Sequence, residues 1–574
     1  EKRKGFFIMD NSKKLPSNKR EKVIAPNLKK QNLFETICSY GITILCFIFF
    51  GYVAIMSVLQ TSEFDSANFG GEVIQFNYDD LAMNFFLLGG FFLLVFALSR
   101  YANVFKKVSD LALVVGLSVY TITLGFIWIF MAQSVPAADS GTVTQTAMEA
   151  AKGNYQSFQA SNDTFYNNVS YYKIYPFQLG FVFISEIVYR IFGTTTSMPM
   201  QVFNVLALTA LYIAIVAISK KLFKSKSVTF ITVFMLAGCI QGILFTTFVY
   251  GNIIGIASAM WACYFVIRFM QSEEKRNYLN LLPASLLMAL SVVAKYNNMI
   301  WLAAICIALL IYIIKNKKWL HFVSIAFVVL ISVGSFNLVI MSYEKRSGVD
   351  LGKGVDQILY LDAGLNESAM APGWYNDMAK SQFLNANLDN KTADTWAKAD
   401  IKERLNKFKQ DSHYRNNFFS KKILSQWNEP SYESLWVSQV KGHYFGEIKE
   451  NTTLYSIYSG KINKFLYDYF DFFQMITFIL FAIGVAGLIK KRCSAETIMI
   501  LTGLAGGFIY HTLFEGKSQY VLTYFIVMIM FSSYGLYLLV KPKNFNNNSD
   551  SEKETLSDKF KKVIFKIDSK TRQS

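Results

Sequence analysis

The chain has 574 residues, of which 53% are hydrophobic and 16% aromatic, and it carries a formal net charge of +17. A soluble domain is about 45–50% apolar; here the excess is gathered into runs of about 20 residues, the length that spans about 30 Å of hydrocarbon. That distribution excludes an ordinary soluble enzyme, and it makes the basic charge a mark of cytoplasmic loops rather than of a nucleic-acid partner.

In chain order, the leader 1–32 is polar and dense in Lys and Arg. It is too long for the n-region of a signal peptide and reads as a basic cytoplasmic tail, able to touch anionic lipid. A first span is expected at 34–58. The segment 59–80 lacks Lys and Arg and holds Glu63, Asp65, Glu72, Asp79 and Asp80, so it reads as an outer loop. Spans at 81–99 and 109–131 flank the inner "RYANVFKK" and lead to an outer loop, 132–198, that begins "SVPAADSG". The apolar run 177–193 is the test of the topology. If it spanned, the basic "KKLFKSK" after the next run, 199–219, would fall outside. It therefore reads as a juxtamembrane or re-entrant helix, with Glu186 and Arg190 spaced to pair on one face. Further spans follow at 228–249, 252–270, 279–294, 298–314 and 319–342, then at 468–489, 495–511 and 519–540. The fold class expected is an all-α polytopic membrane protein with about twelve transmembrane helices, outer juxtamembrane helices and a small extracellular domain.

Five segments result: the N-terminal tail 1–32, a first membrane part 33–342, an extracellular domain 343–465, a second membrane part 466–540 and a charged cytoplasmic tail 541–574. The extracellular domain holds Trp374, Trp396, Trp427 and Trp436, and a helix is expected from about 394 to 427. None of the six cysteines lies in the two long polar loops, so no structural disulfide is expected.

Candidate chemistry gathers in the outer loops and turns. Asp139 follows the third span in "VPAADSG". It is either an N-cap for the helix after it, a role Ser140 could share, or a carboxylate that takes a proton from an acceptor hydroxyl. In "YYKIYPFQLG", Tyr171, Tyr172 and Tyr175 are interfacial anchors, and Lys173 is either a snorkelling cation or a phosphate partner. The last outer turn, "HTLFEGKSQY", packs His511, Glu515, Lys517, Gln519 and Tyr520 between two apolar runs, more ionisable groups than a bare turn needs. His511 alone is more often a structural hydrogen-bonder. No histidine has zinc-ligand spacing, and a divalent metal is possible but not indicated. No phosphate-binding Gly-rich loop, dinucleotide-binding glycine pattern or Gly-x-Ser-x-Gly elbow occurs in a suitable context, which disfavours a nucleotide-fuelled pump. Mid-span acids are nearly absent, which disfavours proton-coupled transport. An enzyme acting on a lipid-borne substrate competes with a transporter or flippase of lipid-linked sugars and with a non-catalytic scaffold for wall synthesis.

The stretches "VPAADSGTVTQTAMEAAKGNY" and "YYKIYPFQLGFVFISEIVYRIFG" resemble the first outer loop of polytopic GT-C glycosyltransferases, in the broad group related to protein O-mannosyltransferases (glycosyltransferase family 39-like). "FVYGN", "AKYNNMI", "APGWYND", "SQWNEPSYESLW" and "HTLFEGKSQYVLTYF" extend the likeness diffusely over 110–540. The resemblance implies a polyprenyl-phosphate-linked sugar donor, inverting transfer at the outer face of the cell membrane and no required cofactor. It implies Asp139 as base and Lys173 and Lys517 as partners of the leaving phosphate. Glu515, Gln519 and Tyr520 would shape the donor pocket, and Tyr172, Tyr175, Gln178 and His511 complete the candidate binding set. The acidic pair usual in that group is absent, since Ser140 follows Asp139, which weakens a protein-mannosylating specificity. Richness in Lys, Asn and Ile suits a low-GC bacterium, where the donor would be undecaprenyl-phosphate sugar and the acceptor a glycopolymer such as teichoic acid or wall polysaccharide. A membrane enzyme that makes the donor is a candidate partner of the basic tails.

Overall fold

The structure is a computed structural model that describes residues 33–65, 71–100, 107–159, 164–272, 277–439 and 448–540. The tails read as cytoplasmic at 1–32 and 541–574 lie outside the described residues.

The described chain is almost entirely helical. Helices α1 (Leu33–Leu59), α2 (Leu81–Ser99) and α3 (Asp110–Ala132) stand where the first three spans are expected. Asp80 and Ser109 cap the latter two by accepting from backbone N–H groups of their first turns. The loop between α1 and α2, read from sequence only as an outer segment, forms an antiparallel hairpin of β1 (Gln60–Phe64) and β2 (Ile74–Tyr78), with Gln60 opposite Tyr78 and Phe64 opposite Ile74. The next helices are α4 (Ala138–Ala151), α5 (Leu179–Phe192), α6 (Met198–Phe223), α7 (Lys226–Gly238), α8 (Asn252–Gln271), α9 (Leu281–Ala294), α10 (Met299–Asn316) and α11 (Phe322–Ser347). Among the described residues, ten helices are long and apolar enough to cross a membrane.

Two of the expected spans take a different form. The run 228–249 is broken: α7 stops at Gly238, and the chain turns by 52° into a short helix at Ile240–Leu244. Three tyrosine hydroxyls donate to the carbonyls freed there, Tyr120 to Ala237 (2.9 Å), Tyr469 to Gly238 (2.7 Å) and Tyr212 to Cys239 (3.2 Å). The last expected spans but one and two correspond to α16 (Lys461–Lys491) and α17 (Ala495–Leu513), and α18 (Ser518–Val540) closes the bundle. Of these, α17 is a 19-residue helix less apolar than the ten, with Glu496, Tyr510 and His511 near its ends.

The test run 177–193 forms α5, whose 14 residues extend about 21 Å, short of a bilayer's hydrocarbon. Glu186 pairs with Arg190 at 2.7 Å as the spacing suggested, and also with Arg346 of α11 at 2.7 Å, while Tyr343 donates to it at 2.5 Å. These partners hold its carboxyl below the ordinary range despite the opposing effect of burial.

The long polar segment carries α12 (Gln357–Gly364), α13 (Met378–Asn385), α14 (Asn390–Gln410) and α15 (Ser412–Trp427). The helix expected over 394–427 is thus two helices. Asp411 divides them, its carboxylate accepting from Tyr414 N at 2.8 Å to start α15. Beyond α15 the chain does not stay on the surface. Residues 428–439 run as turns, nearly all buried, between the span helices. Trp427 packs edge-on against Phe50 of α1 (5.2 Å) and beside Phe508 of α17 (5.5 Å). Gln241 donates to Pro430 O at 3.2 Å, Gln474 to Glu429 O at 3.2 Å and Asn428 to Gln60 O at 2.8 Å.

Two close approaches fix the end of α9. A Cβ on Gly251 would lie 1.8 Å from Ala294 O, and one on Gly180 would lie 1.9 Å from Val293 O. Only glycine lets α8 and α5 begin against that helix end. Gly251→Ala is expected to destabilise the protein by about 1–3 kcal/mol, as overpacking does, and thermal melting of the detergent-purified variant measures it. An unchanged melting temperature would show that the junction relaxes freely.

Candidate active site

Four interruptions of the helical bundle meet at one place, the recess: the start of α4, the turn before α8, the break between α9 and α10, and the turn between α17 and α18, where Asp139, Lys295 and Glu515 lie close enough to act on one another's charge. Each supplies a polar side chain.

Asp139 is the second residue of α4, after Ala138 in the left-handed region at φ 50°. The cap position falls on Ala137 and no side chain caps the helix, while Ser140 donates to Val249 O at 2.7 Å. The Asp139 carboxylate is therefore free of the capping role that sequence left open, and a non-glycine residue strained at its shoulder is characteristic of a functional turn. Its side chain reaches solvent at the mouth of the recess, yet protein surrounds it closely enough that burial is the largest influence on it. Burial raises its carboxyl; Tyr171, Lys517 and Lys295 pull in the other direction and Glu72 adds to the rise. The Tyr171 hydroxyl stands beside the carboxylate, short of full hydrogen-bond geometry and with no other partner.

Lys295 occupies the break between α9 and α10 in extended backbone. Its Nζ lies 4.0 Å from the centroid of the Tyr250 ring and 5.2 Å from that of Tyr520. Gln178 donates to the Tyr250 hydroxyl and braces it. Burial lowers the Lys295 ammonium to about 7, opposed by Asp139 and Glu515. Among the described residues no carboxylate forms an ion pair with it.

Glu515 lies in the α17–α18 turn, where its N–H donates to Tyr360 O at 3.1 Å. Burial raises its carboxyl to about 7, with Asp139 adding and Lys517, Lys422 and Lys295 subtracting. Lys422 of α15 clamps this turn by donating to the carbonyls of Gly364 and, at 2.8 Å, Phe514. Lys517 pairs with Glu72 of the β1–β2 loop at 2.5 Å, with the Trp374 and Trp436 rings about it. Burial works against its charge, but Glu72, Glu433 and Glu515 outweigh burial and raise its pKa.

The remaining sequence candidates take these places. Tyr175 faces the recess, where Tyr360, Tyr375, Asp139 and Glu515 add to the effect of burial in raising its phenol. Tyr520 forms part of the Lys295 seat. Tyr172 is a buried packing residue stacked on Phe158 at 5.0 Å. Gln519 donates its N–H to Glu433 (3.2 Å) and accepts from Asn252 (3.2 Å) at its carbonyl. His511 is buried with an unpartnered Nδ1, ringed by Tyr510, Tyr520 and Tyr524. Lys173 is half-buried on the turn Tyr171–Ile174, and among the described residues no ion pair or hydrogen bond joins its side chain to the recess. Sequence reasoning did not single out Lys295, Tyr250, Glu72 or Glu433. For Lys295 the available signal was a lysine in a short turn between two apolar runs, the same kind of signal that drew attention to the last turn. Among the described residues, no three His, Cys, Asp or Glu side chains are grouped to hold a metal.

Beneath Lys517 lies a buried acid pair. The Ser518 hydroxyl is 2.9 Å from Glu429 and 3.0 Å from Glu433. With one proton to give, it can serve one carboxylate; the other must carry a proton of its own. Burial raises both carboxyls, that of Glu429 to about 7, while hydrogen bonds from Ser431 and Ser518 and the Glu433 N–H limit the rise at Glu429 and Lys517 limits it at Glu433.

Residues 178–336 match the family profile described as dolichyl-phosphate-mannose-protein mannosyltransferase. The matched stretch contains Gln178, Tyr250 and Lys295; Asp139 and the last turn lie outside it. No curated protein and no solved structure matches the chain. The family match supports a GT-C-like glycosyltransferase, and with the apolar helices it makes this a multi-pass membrane protein. It supports a polyprenyl-phosphate-linked sugar as the donor.

The acid pair gives a pH dependence of known sign. The fold favours the protonated carboxyls, so their stabilisation is complete below the ordinary value of 4.5 and is lost as pH rises through about 7. The melting temperature is expected to fall between pH 5 and 9, and Glu433→Gln to flatten that slope. A wild-type melting temperature constant over this range would show that neither carboxyl keeps its proton.

Proposed function

We propose that this protein moves a sugar from an undecaprenyl-phosphate donor to an acceptor hydroxyl on a cell-surface glycopolymer, such as teichoic acid or a wall polysaccharide, at the outer face of the cell membrane. The observation that carries this reading is the pairing, across one recess, of a carboxylate free of capping with an ammonium free of an ion pair. Asp139 accepts the acceptor's proton as that oxygen attacks the anomeric carbon. The bond from that carbon to the phosphate oxygen breaks, the electron pair leaves with the polyprenyl phosphate, and configuration inverts. Lys295 neutralises the leaving phosphate. Because two aromatic faces rather than a carboxylate hold it, it gives up no ion pair to do so. Lys517, already paired with Glu72, shapes the recess rather than receiving the phosphate. Glu515 and Tyr175 supply further polar edges for the sugar.

The test is transfer in proteoliposomes supplied with polyprenyl-phosphate sugars and a wall-polymer acceptor. Asp139→Asn is expected to lower kcat by about 10²–10⁴, the worth of a general base, and Lys295→Gln to cost transfer without loss of fold. Full transfer by Asp139→Asn would sink the base assignment; movement of the donor across the bilayer without transfer would favour a flippase. Burial raises the Asp139 carboxyl, so activity should fall on acidification from a higher pH than an ordinary carboxylate would give. Sidedness has its own readout. A cysteine in place of Thr395, exposed on α14, should react with an impermeant maleimide on intact cells. Labelling only after permeabilisation would place the polar segment on the other side.

A further inference from the structure

A cavity of about 420 Å³ opens at the far ends of the helices that lead away from the Asp139 recess. It is lined by Lys221 in the last turn of α6, by Arg268, Gln271 and Ser272 at the end of α8, and by Asn277 and Asn280 of the turn that enters α9. The 20 residues of α8 set it about 30 Å from the recess.

Cations are expected at helix C-termini and in the loops on one side of a membrane, and those rules alone explain most of the basic residues here. Lys220 is spent on Asp110 at 2.5 Å, and Lys315 on Glu35 at 2.9 Å. Lys221 and Arg268 differ. They come from different helices, converge on one hollow, and have no carboxylate partner among the described residues. Two like charges facing a shared hollow repel one another, and an anion between them removes that cost. The amides add a second preference. Asn277 donates its Nδ2 to Phe269 O (3.2 Å) and Ser272 O (3.0 Å), and Asn280 donates to Asn277 O (2.9 Å). Asn277 has both N–H donors committed to the loop and offers its side-chain oxygen, while Asn280 has one N–H committed and offers its oxygen and its second N–H, a set that suits hydroxyl groups, which both donate and accept.

We propose that this cavity binds a phosphate whose substituent carries hydroxyl groups, a phosphoglycerol above all, with Lys221 and Arg268 on the phosphate and Asn277 and Asn280 on the hydroxyls. Such a group arrives either as the headgroup of an anionic phospholipid in the adjoining leaflet or as a free phosphate ester. The site is independent of sugar transfer.

The full chain in neutral detergent is titrated separately with short-chain phosphatidylglycerol, phosphatidylcholine and glycerol 3-phosphate, with occupancy read by native mass spectrometry. Phosphatidylglycerol is expected to bind at least tenfold more tightly than phosphatidylcholine. The Lys221→Gln/Arg268→Gln variant should lose that preference, whereas Lys317→Gln/Lys318→Gln, at another basic turn, should keep it. Binding of glycerol 3-phosphate that the first variant abolishes also supports the site and assigns it to a soluble ester. Equal binding of the two lipids by the wild type, with no binding of glycerol 3-phosphate, overturns the proposal. So does equal loss in both variants, since that is surface charge and not a site.

Discussion

A lipid-embedded backbone has no water to turn to, so wherever a helix stops short its free carbonyls and N–H groups must be satisfied from within. The rest of this molecule follows from how that is done. At the Gly238–Cys239 break three tyrosines supply the donors. At the end of α9, Asn298 donates to Ser291 O at 3.1 Å and Ser291 to Gly255 O at 2.7 Å. In the buried turns 428–439, glutamines from two span helices reach across to the carbonyls. These interruptions also carry the candidate site: Asp139, Tyr250, Lys295 and the Glu515–Lys517 turn all lie at helix ends rather than within helices. Irregular backbone is tolerated at such depth where it is buried in protein or lines a cavity, and here it does both.

The same low-polarity surroundings govern charge. An isolated buried ion is costly, and pairing offsets the cost only with good geometry. Lys517 with Glu72, and Glu186 with two arginines, meet that condition. Lys295 takes another route. Its ammonium rests over the faces of Tyr250 and Tyr520, contacts of a kind worth about 0.5–1 kcal/mol at exposed sites and more when desolvated. They hold the amine in place without pairing its charge, so an incoming anion would meet a group already positioned and, by its own charge, favour the protonated form that burial opposes.

Length and charge made most of the architecture legible, because a span must be apolar for about 20 residues and its flanks must obey a sign rule. The exclusion of 177–193 from the spans was legible for the same reason. The break at Gly238 was not: two glycines in an apolar run are a weak signal, and the tyrosines that make the break tolerable come from α3, α6 and α16. The division at Asp411 was legible in principle, since Asp before Ser is a helix start, but it falls inside a continuous apolar periodicity. Within the recess, the last turn declared itself by its density of ionisable groups. Lys173 and Lys295 did not sort themselves, for each is a lysine among tyrosines near a helix end. What separates them is tertiary: Gly180 and Gly251 seat the end of α9 against its neighbours, and Lys295, just past that end, lies within reach of the charges of Asp139 and Glu515. Glu72 gave no signal, because its role depends on a hairpin that pairs across a loop.

The buried turns that follow Trp427 bear on how this protein could diversify. Helices α12 to α15 are polar-segment structure, but residues 427–439 are wedged among α1, α16 and α18 and contribute Glu429 and Glu433 to the floor beneath Lys517. A chimaera that exchanged the whole polar segment for that of another enzyme would import a foreign keystone into the bundle. The seam that leaves the membrane part self-consistent runs just ahead of Trp427, so the polar helices and the buried acid pair can be exchanged separately only if the cut is made there.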